Sequence, residues 1–367
     1  MNLSTPREPF LQHLQLTSSV CPARSMRPLL TDVLISVDGN RVEFTATDGD
    51  ISIRRRFSDE NVSGEGTAAL PAATLLQAVR SIDDAEITIV QVDQTHELKS
   101  ERAYFKLNGD DPDMFPSIPT VEDEAGVELP LGEFVALCSR TMFAASKDMG
   151  RYAFNGVLLE LDPEGITLVA TDGRRLALAT LPMATGVAER RSAVVPLKGL
   201  QQLQRLGAED DKTPLQIVLR QSLVAFRTPN AEVLAQLVEG EFPDFRAVMP
   251  EDSSLPGQVS VARDELASAV SRAMITAGAE SPMVRLELSE GQLAVMSRQE
   301  GLGESRSDVP VDYDGDEVEI RFNPAFISEY LKTMQEDALT LRFKDRSSAG
   351  VFSSGAVSRY VVMPITS

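Results

Sequence analysis

The stretch "LVATDGRRLALATL" (residues 168–181) contains the string Ala170-Thr171-Asp172-Gly173, and "EFTATDGDISI" (43–53) contains the same four residue types at 46–49. In both places the string lies between two stretches of alternating apolar and polar residues, and Asp-Gly is a common pair in tight turns. The alternative is a catalytic carboxylate or a phosphate-binding loop. A third related stretch, "MSRQEG", has no Asp-Gly, which argues against a repeated active site. We therefore interpret both strings as a corner between two strands of a repeated unit.

Three segments share this strand–turn–strand pattern, namely 29–57, 153–181 and 281–309. In each, an alternating strand runs into a short turn and a second alternating strand follows, which is the pattern of a β-hairpin. The turns are "DGN" (38–40), "DPEG" (162–165) and "SEG" (289–291). The sequence therefore predicts three hairpins in equivalent positions.

Helices repeat with the hairpins. An amphipathic helix opens each unit, and a second helix begins at Pro71, Pro196 or Pro324, where a missing N–H is tolerated. The six predicted helices are 8–20, 72–82, 131–147, 196–206, 262–276 and 324–335. We predict an α+β fold of three repeated units, each with two helices against antiparallel sheets. The predicted units are 1–126, 127–253 and 254–367, separated by the acidic linkers "TVEDEAG" and "EDSSLPG".

Composition excludes several classes of protein. The chain is 43% hydrophobic and 25% charged, as in ordinary globular proteins. It has no apolar run near the roughly 20 residues that span a bilayer, and its N-terminus does not resemble a signal peptide. We expect a cytoplasmic protein without a membrane partner. Cys21 and Cys138 are expected in or near the core, and the two cysteines and two histidines lack zinc-ligand spacing, so we expect no metal and no cofactor.

The net charge of −20 argues against nucleic acid, but its distribution weakens that argument. The six predicted helices hold eight basic and five acidic residues, while the acidity is concentrated in strands, turns and linkers. Helix faces that are exposed to solvent and carry both positive and negative charges would explain this charge distribution equally well. If all the helices face one way, however, that surface tolerates DNA and the rest of the protein repels it.

Three stretches of the sequence resemble the bacterial sliding-clamp family, the beta subunits of DNA polymerase III. They are "RYAFNGVLLEL…LVATDGRRLALA" (151–179), "GEFPDFRAVMP" (240–250) and the ending "YVVMPITS". The resemblance covers the whole chain and is most specific in the second unit and at the C-terminus. It implies three clamp-type domains and a head-to-tail homodimer, in which two chains close into a six-domain ring around duplex DNA. It also implies a non-catalytic processivity factor that acts with DNA in the nucleoid.

The partners that the resemblance implies are the alpha subunit of DNA polymerase III, the clamp loader, and other proteins with a clamp-binding motif, such as repair polymerases, mismatch-repair proteins and ligase. Family members bind short peptides with Leu and Phe anchors in a pocket between the second and third domains. Carried over by motif, that pocket comprises Phe154, Thr171, Gly173, Arg174, Arg175, Leu176, Pro243, Val248, Ser347, Val361, Met363, Pro364 and Ile365. For each residue alone, packing in the core is the competing interpretation.

Two further sets of residues follow from the family pattern and from helix position. Arg24 and Tyr152 stand where the family contacts DNA, and the predicted helices add four basic residues as DNA-facing candidates: Arg80, Lys147, Lys198 and Arg205. Ordinary surface charge is the alternative for these. The subunit interface is expected to pair Phe105 and Leu107 of an edge strand with the helix end around Ile275.

The sequence departs from the family at the pocket. Arg174 stands where the family usually has His, Ala247 where many members have Arg, and Phe154 is bulkier than the usual Leu. Two other hypotheses stay open: an enzyme using Asp48 and Asp50 as a metal-binding pair, and a paralogous clamp specialised for repair. The first lacks support in the second copy, where Arg174 follows the glycine.

Overall fold

The computed structural model describes residues 1–121, 124–146, 154–207, 210–355 and 357–366. The chain forms two compact units. The first, here called unit A, contains Met1–Gly132 and Lys198–Leu237. The second, unit B, contains Glu133–Leu197 and Val238–Ser367.

The helices of the described residues are α1 Arg7–Ser18, α2 Ala72–Arg80, α3 Leu131–Thr141, α4 Leu197–Gly207, α5 Phe245–Val248, α6 Arg263–Thr276 and α7 Pro324–Leu331. Six of these match the predicted helices. The prediction of a helix over 131–147 was too long, because α3 ends at Thr141 and a single 3₁₀ turn follows over Met142–Ala144. The Thr141 hydroxyl donates to the carbonyl of Leu137, 2.9 Å away. The short helix α5 was not predicted. None of the helices in the described part of the chain combines the length and the apolar character that a membrane crossing requires.

The strands, in chain order, are β1 Asn2–Pro6, β2 Asp32–Asp38, β3 Arg41–Thr47, β4 Ile51–Ser58, β5 Ser63–Pro71, β6 Glu86–Val92, β7 Thr95–Lys99, β8 Tyr104–Asn108, β9 Val127–Pro130, β10 Gly156–Asp162, β11 Gly165–Thr171, β12 Arg175–Pro182, β13 Arg191–Pro196, β14 Pro214–Leu219, β15 Leu223–Arg227, β16 Ala231–Gln236, β17 Gly257–Ala262, β18 Val284–Ser289, β19 Gln292–Gln299, β20 Gly303–Pro310, β21 Val318–Phe322, β22 Ala338–Phe343, β23 Gly350–Ser354 and β24 Ser358–Val362.

The three predicted hairpins are confirmed as β2–β3, β10–β11 and β18–β19. Each closes through a two-residue turn, since Asp38 faces Arg41 and Ser289 faces Gln292 in the strand register. Gly39 and Gly291 adopt φ values of 60° and 71°, a region that favours glycine over residues with a Cβ. Asp162 faces Gly165 in the second hairpin.

Unit A is built on one antiparallel sheet in the order β8-β7-β6-β1-β5-β2-β3-β4-β16-β15-β14-β9. Helices α1 and α2 pack against each other, and α1 packs on β3 and β4. Because alternate residues of the strands point to the same side, the apolar residues of α1, α2 and the neighbouring strands form one cluster, and a second cluster contains Val218, Leu223 and Leu234. Phe10, Leu14, Phe44 and Leu75 are fully buried in the first cluster.

Unit B contains two antiparallel sheets, in the orders β13-β10-β11-β12-β24-β23-β22-β17 and β20-β19-β18-β21. Helices α6 and α7 pack together, and α6 also packs on β19 and β20. Fully buried aromatic side chains, including Phe322, Tyr330, Phe352 and Tyr360, form the centre of this core. The pairing of β12 with β24 joins the second hairpin to the C-terminal strand in one sheet.

Candidate partner-binding pocket and DNA-facing residues

The second Ala-Thr-Asp-Gly string forms the corner between β11 and β12. The Thr171 hydroxyl accepts from the Gly173 N–H at 3.0 Å and donates to the Arg175 carbonyl. Asp172 Oδ1 accepts from the N–H groups of Arg174 and Arg175 at 2.9 and 3.1 Å. Gly173 has a φ of 86°, so the turn requires a residue without a Cβ at that position.

The first string forms the same corner in unit A. The Thr47 hydroxyl accepts from the Gly49 N–H at 3.1 Å, and Asp48 Oδ1 accepts from the N–H groups of Asp50 and Ile51 at 3.0 and 2.8 Å. Asp48 Oδ2 accepts from Lys198 Nζ at 2.8 Å. The interpretation of both strings as strand corners is therefore confirmed. Asp48, one of the two carboxylates that the enzyme hypothesis assigned to a metal, accepts hydrogen bonds from its own turn and from Lys198.

Arg175 lies beneath the surface, at 6% exposure. Its guanidinium donates to Asp172 Oδ2 at 3.0 Å and to the Phe143 carbonyl at 2.8 Å, and it also pairs with Glu329. The Phe326 ring covers it at 4.3 Å from the ring centroid. Arg175 therefore fixes the corner from below, whereas its neighbour Arg174 is exposed.

Strand β24 brings the C-terminal residues to this corner. Leu176 faces Val361 in the β12–β24 register, and both are 5% exposed. Beyond the strand, the Met363 N–H donates to the Arg174 carbonyl at 2.9 Å. The Ile365 N–H donates to the Arg321 carbonyl at 2.8 Å. Met363 is left 52% exposed beside the corner, with Pro364 and Ile365 half-buried.

The short helix α5 is held on the same sheet by two adjacent residues. Phe245 is 4% exposed, and the Arg246 guanidinium donates to both carboxylate oxygens of Glu160 at 3.2 and 2.6 Å. Asp244 caps the helix by accepting from the Arg246 N–H at 3.1 Å. With these residues fixed, Val248 points outward at 62% exposure.

An apolar cluster underlies these segments. Buried Leu176, Val361 and Phe245 belong to it, and half-buried Phe242 and Met249 pack against it. From the segment 240–250 the sequence analysis chose Pro243 and Val248. It missed Phe242, Phe245 and Met249, which anchor the segment to this cluster. Their signal was present, because Phe242 and Phe245 are three residues apart and flank Pro243 and Asp244, a spacing that lets both rings meet one apolar surface.

Ser347 and Phe154 both make hydrogen bonds among the described residues. Ser347 is exposed, and its N–H and hydroxyl donate to Asp345 Oδ1 at 2.9 and 2.8 Å. These donors, led by the Ser347 hydroxyl, lower the pKa of Asp345 to about 2. Ser347 lines a groove of about 1400 Å³ together with Arg321 and Ile365. It therefore lies near Ile365, the last of the predicted pocket residues in the sequence. Phe154 is half-buried, and its carbonyl accepts from the Ser146 N–H at 2.9 Å.

Of the DNA-facing candidates, Arg24, Arg80, Lys198 and Arg205 lie in unit A and are exposed. Lys147 and Tyr152 lie outside the described residues. Lys198 is paired with Asp48, which reduces its free positive charge. With the observed bounds, the seven helices still carry eight basic and five acidic residues. The helices thus remain less acidic than the chain as a whole.

The interface candidates divide between surface and core. Strand β8 is an edge of the sheet of unit A, as expected. On it, Tyr104 is 56% exposed, Phe105 is half-buried and Leu107 is 7% exposed within the core. Ile275, at the end of α6 in unit B, is 76% exposed. Leu107 therefore packs into the core of unit A, and Tyr104 is the most exposed aromatic side chain of the edge strand.

The two cysteines and His96 lie in or near the core. Burial raises the pKa of the Cys21 thiol to about 12 and raises that of Cys138 as well, so neither is a reactive thiolate. Burial also lowers the pKa of His96, which is 5% exposed on β7. Within the described ranges, no group of three or more His, Cys, Asp or Glu side chains could hold a metal ion.

Three family models match the chain in succession. The DNA polymerase III beta subunit N-terminal domain matches residues 1–119, its central domain 128–244 and its C-terminal domain 246–366. Together they cover nearly the whole chain. The α+β fold of three repeated units, predicted from the repeats, and the clamp fold that the resemblance implies are thereby confirmed.

Individual relatives agree with the family models. The chain is 30% identical over 370 residues to the beta sliding clamp of Pseudomonas putida, covering 100% of both chains. It is similar to the crystal structure of the DNA polymerase sliding clamp from Pseudomonas aeruginosa, with a TM-score of 0.91 and 30% identity over 100% of both chains. A sliding clamp from Bartonella birtlesii, solved bound to griselimycin, gives a TM-score of 0.93 at 25% identity over 100% of both chains. The chain belongs to the bacterial sliding-clamp family, the beta subunits of DNA polymerase III.

Proposed function

We propose that this clamp acts as a head-to-tail homodimer, a ring of six clamp domains that encircles duplex DNA and tethers the replicative polymerase to it. The domains are assigned to 1–126, 127–253 and 254–367. A ring held by topology needs no tight grip on phosphates, which suits a chain with a net charge of −20. The less acidic helices, with Arg80 and Arg205 exposed on them, and exposed Arg24 in the segment after α1 support a lumen that tolerates DNA.

Ring closure is supported by the two candidate contact regions. Strand β8 offers an open sheet edge with exposed Tyr104, and β20 is an edge strand of the four-stranded sheet in unit B. Ile275 is exposed on α6, which packs on β20. An open edge strand next to exposed apolar side chains is a surface on which another chain can pair.

The observation that carries the docking function is the pocket in unit B. Its exposed side chains, Val248 and Met363, lie at the ends of segments fixed by buried Phe245, Leu176 and Val361. A buried apolar base with exposed aliphatic side chains at its edge suits a short peptide with Leu or Phe anchors. The Met363 side chain can repack around different anchors.

The proposed occupants of this pocket are the alpha subunit of DNA polymerase III, the clamp loader, and clamp-binding segments of repair polymerases, mismatch-repair proteins and ligase. Because all these partners would share one pocket, they would compete for it. The protein itself would be non-catalytic and would act in the cytoplasm at the replication fork.

Retention on DNA tests the ring. The protein is loaded on nicked circular plasmid by its cognate loader, and the circle is then cut with a restriction enzyme. Release on linearisation is the expected result, since a ring can slide off a free end. Retention on linear DNA would mean ordinary affinity and would contradict the topological mechanism.

A second candidate is a paralogous clamp that serves repair instead of replicative synthesis. Two exposed residues at the pocket favour this candidate. Arg174 stands where the family usually has His, and Ala247 stands where many members have Arg. Titration with clamp-binding peptides from the organism's replicative polymerase and from its repair polymerases separates the two. Preference for the replicative peptide supports the main proposal, and preference for a repair peptide supports the alternative.

A further inference from the structure

A groove of about 1400 Å³ in unit B extends beyond the predicted peptide pocket. It shares Ser347 and Ile365 with that pocket. Most of its remaining lining comes from three segments that the sequence analysis assigned to no site, namely 256–258, 313–321 and 343–346. Its volume exceeds the roughly 300–1,000 Å³ of small-molecule pockets. A peptide held in the pocket can therefore continue into the groove.

Two sheet edges border this groove. Strand β17 ends the eight-stranded sheet and β21 ends the four-stranded sheet, and both strands contribute lining residues. Ser260 of β17 forms an isolated bridge with Asp312, and the Arg321 carbonyl of β21 accepts from the Ile365 N–H at 2.8 Å. The C-terminal segment of the pocket thus follows the edge of β21 at one point. The N–H and C=O groups along a sheet edge are the groups with which an extended peptide pairs.

Opposite charges line the groove on two separate segments. The acidic connection between β20 and β21 comprises Asp314, Asp316 and Glu317, and the basic turn after β22 comprises Lys344 and Arg346. All five side chains are exposed, and none of them makes a hydrogen bond or an ion pair with another described residue. By contrast, Glu319 and Arg321 in the same lining pair with each other at 2.9 Å. The charges that remain for a ligand are therefore acidic on one segment and basic on the other.

Hydrogen bonds hold both charged segments in shape. The Tyr313 hydroxyl, on a side chain 9% exposed, donates to the Asp316 carbonyl at 2.7 Å within the acidic connection. In the basic turn, Asp345 Oδ1 accepts from the N–H groups of Ser347 and Ser348, both at 2.9 Å. Charged groups on segments that are already ordered lose less conformational freedom when a ligand binds.

We propose that this groove binds an extended peptide segment of alternating basic and acidic residues, which flanks the clamp-binding motif of a partner protein. Successive side chains of an extended chain point to opposite sides. An alternating segment therefore directs its basic side chains to the acidic connection and its acidic side chains to the basic turn, while its main chain follows a sheet edge. This inference rests on the docking function proposed above and adds a sequence requirement outside the Leu and Phe anchors.

The test measures the binding of synthetic peptides to the full-length protein by fluorescence anisotropy. Each peptide has a core with Leu and Phe anchors and a six-residue flank at its N- or C-terminal end. The flank alternates Lys and Glu, carries the same residues as a block of Lys followed by a block of Glu, or alternates Gly and Ser. At one of the two ends, the alternating charged flank should lower Kd about fivefold relative to the Gly-Ser flank, because each exposed charge pair contributes a factor of about 1.4 to 5. The block flank should gain less than about twofold, since it presents both charges to each side.

Matched variants show whether the gain comes from the groove. Asp316→Asn/Glu317→Gln removes two charges of the acidic connection and should reduce the gain from the alternating flank to less than about twofold. Glu164→Gln/Glu189→Gln makes the same charge change at exposed positions of unit B outside the groove and should keep the full gain. The core peptide without a flank should bind equally to both variants and to the wild type.

Three outcomes would overturn this proposal while the core peptide still binds. The first is an alternating flank that binds no more tightly than the Gly-Ser flank at either end. The second is an equal gain from the block flank, which would indicate charge attraction without an extended arrangement. The third is an equal loss of the gain in the two double variants. Failure of the docking function itself is distinguishable, because the core peptide would then not bind at all, and both proposals would be wrong.

Discussion

Removing the two exposed apolar side chains of the pocket should abolish most peptide binding without unfolding the protein. Val248 is 62% exposed and Met363 52% exposed. Fully burying such a side chain is worth about 1.5–3 kcal/mol, so covering the exposed part of Val248 should contribute about 1–2 kcal/mol and that of Met363 about 1–1.5 kcal/mol. The variant Val248→Ala/Met363→Ala should therefore lose about 2–3 kcal/mol of binding free energy, or about 30- to 150-fold in Kd.

The assay is fluorescence anisotropy with a labelled peptide from the cognate polymerase that carries Leu and Phe anchors. Met114→Ala serves as the control, because Met114 is 69% exposed and lies in unit A. Urea unfolding of the double variant should stay within about 0.5 kcal/mol of wild type, since both side chains are at the surface. An affinity within twofold of wild type in a stable double variant would refute the pocket. A loss of more than 1 kcal/mol of stability would mean that these side chains pack in the core.

Five further variants test other parts of the structure. Arg175→Ala leaves Asp172 and Glu329 without their buried partner, so it should cost about 3–5 kcal/mol of unfolding free energy; a urea midpoint close to wild type would contradict the contacts described. Ile275→Asp should shift the dimer to monomer in sedimentation velocity with an unchanged Tm, whereas Leu107→Ala, at 7% exposure, should lower stability by about 2–5 kcal/mol; an unchanged dimer in the first variant would remove Ile275 from the interface. The pKa of His13 is lowered from 6.5 to about 4, so on acidification the unfolded chain takes up this proton at a higher pH than the folded protein does. The free energy of unfolding should therefore fall between these pH values by up to about 1.4 kcal/mol per pH unit. His13→Gln should remove that contribution, and an identical pH slope in the variant would be evidence against it. Asp32 acts in the opposite sense, since burial and the neighbouring Asp110 raise its pKa from 3.8 to about 6, so its contribution to stability is lost as the pH rises through this range; Asp32→Asn should steepen the acid loss.

Local patterns predicted the repeated elements because the physics that forms them is local. The Thr-Asp-Gly corners are closed by hydrogen bonds within five residues, so two similar strings imply two similar corners. The same holds for the two-residue hairpin turns and for the helices that follow Pro71 and Pro196.

Whether a side chain is buried or exposed depends on residues distant in the sequence, which local patterns do not show. Adjacent Arg174 and Arg175 look alike in sequence, yet Arg175 is buried because Glu329 and Phe326, from the last helix, enclose it. On β8, strand alternation places Phe105 and Leu107 on one side and Tyr104 and Lys106 on the other. The apolar pair faces the core, and the surface of the edge strand belongs to Tyr104 and Lys106.

The pairing of β12 with β24 has a mechanical consequence. Strand β12 belongs to the central-domain segment and β24 to the C-terminal one, so the boundary between these domains crosses the interior of a single sheet. Pulling the two domains apart would require five facing residue pairs, from Arg175–Val362 to Ala179–Ser358, to separate against their backbone hydrogen bonds. Such a seam resists separation, because these five pairs must part together. In the proposed ring, the sheet that carries Leu176 and Val361 would therefore stay intact while a loader opens the ring elsewhere.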